Sequence, residues 1–178
     1  LPLDLKMTMT TTKKTTTRKS TPRKRTAAKK VKLPPNPFIH EILELVDEQR
    51  TKAKKIEILR EYRDDSLTTI LIWNFDESVI SMIPEGDVPY KENEVPVGTD
   101  HTSLRREHTQ LYHFVKGGND KLSSLRRETM FIQLLEGLHP KEAKIVCLIK
   151  DHKLSTQYKL TQAVVAEAYP DIQWGDRS

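Results

Sequence analysis

The sequence has one cysteine, Cys147, so an intramolecular disulfide framework is excluded and a reducing compartment is the default setting. It has no apolar run near the ~20 residues that span a bilayer. The longest, Ile70 to Trp73, stops at Asn74. It lacks a secretory apolar segment near its N-terminus, so a soluble, cytoplasmic protein is expected. It also lacks an initiating methionine. Met7 or Met9 is the expected start, with Leu1–Lys6 as an extension ahead of it.

Acids are missing where bases are densest. Residues 1–32 carry eleven Lys/Arg and one acid, Asp4, a net of +10. The other 146 residues hold 19 bases and 24 acids, a net of −5. The overall charge of +5 therefore hides a cationic arm joined to a mildly acidic body. From Met7 to Lys32 there are ten bases, nine threonines and almost nothing apolar, so no burial offsets the entropy of ordering and residues 1–36 are expected to be disordered. The composition is similar to the Lys/Thr/Ser/Pro/Ala-rich tails of linker-histone-like proteins. Its chemistry points to a polyanion: Lys13, Lys14, Arg18, Lys19, Arg23, Lys24, Arg25, Lys29, Lys30 and Lys32 would neutralise phosphates without reading sequence. An acidic protein surface, or an intramolecular contact with the acidic body, is the alternative partner. A membrane surface fits poorly, because the arm has no aromatic or lipid anchor.

Residues 37–178 read as one helical domain of about 140 residues, large enough to bury a core. Asn36 is expected to cap a helix that has Pro37 at its first position and Phe38, Ile39, Ile42, Leu43 and Val46 at helical spacing. A second helix places Ala53, Ile56, Leu59 and Tyr62 on one face. A third, capped by Asp65 or Ser66, runs from Leu67 to Asn74 and is apolar nearly all round. Ser78–Ile83 fits strand and helix equally. Pro84–Asp100, with three prolines and two glycines, reads as a solvated loop. Helices over 103–115, 122–138, 141–152 and 160–169 complete an all-α body of six or seven short helices.

Motifs of catalysis are sparse. Gly117-Gly118 lacks the Lys-Ser/Thr and the preceding strand of a phosphate loop. The six histidines form no zinc-binding spacing, and His139 before Pro140 reads as a cap or turn residue. Cys147 sits in the apolar run Ile145–Ile149 and reads as core rather than nucleophile. Glu142-Ala-Lys144 has the letters of a nuclease motif but lies at a helix start without the strand that motif needs. The last two helices are joined by about seven residues, too many for a tight helix-turn-helix. The second offers only Thr161 and Gln162 to base edges, so a packing helix is expected. No cofactor, metal or enzymatic activity is expected.

Ser-Leu-Arg-Arg-Glu occurs at Ser103–Glu107 and again at Ser124–Glu128. Arg105, Arg106, Arg126 and Arg127 either pair with Glu107, Glu128 and nearby acids, or present two arginine pairs to phosphate or an acidic partner.

Five blocks carry a resemblance: Phe38–Val46, Lys54–Leu59, Phe114–Gly118, Arg126–Glu136 and His139–Ala143. In this order, over residues 38–172, the body resembles a family of small proteins of no established function from large tailed bacteriophages, notably those of marine cyanobacteria. The resemblance implies a phage origin and a host bacterial cytoplasm, and carries over no activity or site residues. The arm departs from those proteins, which begin near the first helix. The expected function is that of a non-enzymatic accessory protein holding nucleic acid through its arm, with the body contacting a protein. The alternative is a virion, scaffold or host-modulating factor whose arm docks on an acidic protein.

Overall fold

The computed structural model describes residues 32–94 and 102–178. The chain divides into two units, Leu1–Lys32 and Leu33–Ser178, and the second holds every element named below. Among the described residues there are seven α-helices, two 3-10 turns and no strand: α1 (Ile39–Glu48), α2 (Lys52–Glu61), α3 (Asp65–Phe75), α4 (Leu104–Glu107), α5 (Ser124–Gly137), α6 (Pro140–Lys150) and α7 (Gln162–Ala168). The all-α architecture expected from the sequence is what is found.

Local chemistry explains most helix starts. Thr51 Oγ1 accepts from the Lys54 amide at 3.3 Å, and Asp64 Oδ2 from Ser66 at 3.0 Å. Ser123 Oγ accepts from Arg126 at 3.3 Å, and Thr161 Oγ1 from Val164 at 3.4 Å. His139 caps α6 through Nδ1, which accepts from the Lys141 amide at 3.1 Å, with Pro140 following at the first helical position. Each cap satisfies one amide that the helix itself cannot.

Several boundaries differ from expectation. Asn36 is no cap: it takes a left-handed φ of +53°, and α1 begins three residues later, behind an extended Phe38 that has no capping side chain. The third helix is capped by Asp64, one residue before the expected candidates. Ala53, expected inward, is exposed on α2. The helix expected over 103–115 is one α-turn, α4, followed by a 3-10 segment, His108–Phe114. The 3-10 winding places residues three apart on one face, and it buries Leu111 and Phe114 together. Ser78–Ile83 is neither helix nor named strand. It makes one antiparallel bridge, Ser81 to Val115, with Met82 N–H donating to Phe114 (2.7 Å) and Lys116 N–H to Ile80 (2.8 Å).

One continuous core fills the body. α3 packs on α6, α4 and the 3-10 segment; α5 packs on α6; α1 lies against α2 and α6. α7 packs on α2, where Val164, Val165 and Ala168 face inward and the Tyr169 hydroxyl donates to the Leu59 carbonyl. Ile70, Leu71, Phe114, Phe131, Leu135 and Ile149 are almost wholly excluded from solvent. None of the described helices is long and apolar enough to cross a membrane.

Candidate functional site

Nine of the ten arm residues named as phosphate contacts, Lys13 through Lys30, lie outside the described residues; Lys32 is described and is exposed. The four arginines of the repeated Ser-Leu-Arg-Arg-Glu segments are all described, and the fold splits each pair. Arg105 is half-buried: its Nε donates to the Pro37 carbonyl at 2.7 Å and its guanidinium meets Asp64 at 3.2 Å. Arg127 is 3% exposed and has no acidic partner among the described residues. It donates instead to three carbonyls, of His113 (2.9 Å), Asn119 (3.0 Å) and Leu122 (3.0 Å). Arg106 and Arg126 are exposed. Two of the four are therefore internal fasteners, and the other two are not presented as adjacent pairs. Glu107, an expected partner, accepts from Thr102 Oγ1 (2.7 Å) instead.

The same region holds a polar junction of helix N-termini that spacing gave no sign of. Glu142, in the first turn of α6, is 0% exposed. Its Oε2 accepts from the Ile39 amide at 3.1 Å and its Oε1 from the Leu104 amide at 3.3 Å. These are the first amides of α1 and α4, the two α-helices whose N-cap residues make no side-chain cap. One carboxylate, itself in the first turn of α6, thus serves the starts of two other helices, where the positive dipole ends favour it. Burial pushes the Glu142 carboxyl up to about 7, against the pull of the two amides and of Arg105. Beside it, His40 is buried and stacks on His139, with ring centroids 4.6 Å apart, and on Phe38 at 5.4 Å. Burial, and then the neighbouring His139, lower the His40 pKa to about 4. Its Nδ1 is buried with no hydrogen-bond partner among the described residues, so this imidazole is held neutral.

Pro84–Glu94 is largely exposed, as expected of a solvated loop, although it is anchored at two points; 95–100, the rest of that expected loop, lie outside the described residues. Val88 and Tyr90 pack against the core. Burial pushes the Cys147 thiol up, which keeps it a neutral, unreactive thiol. Asp76 is 2% exposed and ties down the C-terminal residues: it accepts from Gly175 N–H (3.0 Å) and Arg177 Nε (2.8 Å). These bonds and those from Ser78 hold its carboxyl below the usual range despite burial.

Among the described residues no group of three His, Cys, Asp or Glu side chains converges to hold a metal ion. The surface offers shallow hollows, one of them of about 180 Å³ between Ile83–Pro89 and α5. What the fold and its polar groups define is an all-α domain whose buried charges are spent on joining its own segments. The model of a protein family of unknown function, DUF6433, matches residues 42–156, and the chain belongs to that family. No curated protein and no solved structure matches the chain.

Proposed function

We propose that this is a non-enzymatic accessory protein that holds nucleic acid, without sequence preference, through its N-terminal arm, while the helical body contacts a protein. The observation that carries the reading is the charge split: ten bases and no acid from Met7 to Lys32, against a body of net −5. The body supports it indirectly. With Arg105 and Arg127 committed to its own carbonyls and Asp64, it presents no adjacent arginine pair to a phosphate backbone. Phosphate binding then falls to the arm. The setting we propose, from the blocks that resemble proteins of tailed phages, is the cytoplasm of an infected bacterium.

The test is fluorescence-anisotropy binding of full-length protein and of Leu33–Ser178 to short duplex and single-stranded DNA across a salt series. Ten engaged charges give a log K against log salt slope of about −9, and partial engagement gives less. Removal of the arm abolishes binding. Retained binding by Leu33–Ser178 would overturn the reading.

A further inference from the structure

The segment Ile83–Lys91 is a strap pinned at both ends. On α6 the Lys150 side chain is wholly buried, and its ammonium donates to the carbonyls of Pro84 (2.9 Å) and Gly86 (3.0 Å) and to Asp151 (2.6 Å). The other Asp151 oxygen accepts from the Gly86 amide at 3.2 Å. Gly86 turns there with a φ of +101°, a conformation that side chains disfavour. At the far end the Lys91 amide donates to Glu136 of α5 at 3.2 Å.

Beneath the strap lies the hollow of about 180 Å³. Its floor is apolar, formed by Ile83 and Val88 of the strap and Phe131 and Ile132 of α5. Its rim carries three carboxylates, Glu85, Asp87 and Glu128. Asp87 and Glu128 have no hydrogen-bond or ion-pair partner among the described residues, and Glu85 reaches only Lys153, at 3.8 Å. Cavities that hold cofactors or nucleotides run to roughly 300 Å³ and more. This one has room for a single side chain. An apolar floor under an anionic rim complements an aliphatic stem that ends in a cation, and it repels a phosphate backbone.

We propose that this hollow docks one lysine or arginine side chain presented by a basic segment of a partner protein. Arginine fits better: its guanidinium sheds water more easily and can fork between two carboxylates. The inference rests on reading the body as a protein-binding module and is independent of what the arm holds.

The test is a series of ¹⁵N–¹H correlation spectra of the full chain, titrated with the peptide acetyl-Ala-Ala-Arg-Ala-Ala-amide. Saturable shifts centred on residues 83–89 and 128–132 are expected, and none with glutamine in place of the arginine. The double variant Asp87→Asn, Glu128→Gln weakens the peptide about fivefold or more, with the rest of its spectrum unchanged. Glu48→Gln, Glu61→Gln, neutralised elsewhere on the surface, leaves the affinity as it was. Shifts scattered over all acidic surfaces, or equal affinity in the Asp87/Glu128 variant, would overturn the proposal. Because no nucleic acid is present, its failure leaves the salt-dependence test of the arm untouched.

Discussion

Replacing Arg127 by methionine keeps an unbranched stem in the same space and removes the guanidinium that joins α5 to the carbonyls of His113, Asn119 and Leu122. Each hydrogen bond from a charged donor contributes about 1.5–3 kcal/mol, so the gross loss is roughly 5–9 kcal/mol. Against this stands the cost of keeping a guanidinium at 3% exposure with no ion-pair partner among the described residues, several kcal/mol, which the methionine avoids. The net expectation is a destabilisation of about 3 kcal/mol, a large share of the stability of a domain this size. In a thermal melt followed by far-UV circular dichroism, the midpoint falls by about 6–12 °C. Arg127→Lys keeps one ammonium in place of the fork and loses about half as much. Arg126→Met, one residue away and exposed, stays within about 0.5 kcal/mol of the parent. If Arg127→Met melts within about 2 °C of the parent, the side chain is not the fastener described and the reasoning fails.

His40 and Glu142 make opposing contributions to the pH dependence of stability. The His40 pKa is lowered to about 4, so the unfolded chain binds more protons between pH 4 and 6.5 and stability rises with pH there. Glu142 is raised to about 7, so the folded chain binds more protons between pH 4.5 and 7 and stability falls with pH. The parent's urea midpoint is therefore nearly flat between pH 4.5 and 6.5. His40→Phe, which keeps the ring stack, leaves the Glu142 effect alone and loses about 2–3 kcal/mol across that window; a profile parallel to the parent's would refute the assignment. A Cβ on Gly118 would stand 1.9 Å from the Tyr112 carbonyl oxygen, so Gly118→Ala costs about 3 kcal/mol in urea denaturation. Gly86→Ala meets no atom within 4 Å and costs only the strain of its φ, about 1–2 kcal/mol; the reverse order would contradict the packing at Tyr112. Asp76→Asn weakens the hold on the C-terminal residues, and hydrogen exchange at the Gly175 and Arg177 amides accelerates about tenfold while the α3 amides do not change.

Helices and charge were legible in the sequence because each is settled within a few residues. Of the caps, His139 was expected, whereas those at Thr51, Asp64, Ser123 and Thr161 were not, because a polar run before a helix does not say which of its oxygens meets the first free amide. The split between a +10 segment and a −5 body needs only counting. The 3-10 winding of His108–Phe114 was missed because its apolar residues, Leu111 and Phe114, are three apart and fit an α-helix equally well. The strap was missed because what holds it is a lysine more than sixty residues away; prolines and glycines in its sequence speak for a loop and are silent on what pins it.

Tertiary structure alone decided which polar groups face in. Adjacent arginines on a helix point about 100° apart, so only one of each pair can turn toward the core. Which one does so depends on how the helix is docked, and docking is set by partners distant in the chain. Arg105 meets Pro37 and Asp64, and Arg127 meets the turn that follows the 3-10 segment. Glu142 is the clearest instance. It lies 103 residues from Ile39 and 38 from Leu104, and it supplies both amides with the acceptor that their own flanking residues do not. A local pattern can mark a helix start; that a buried carboxylate from another helix completes it follows only from packing, because an unpaired amide must find whatever acceptor the fold brings within reach.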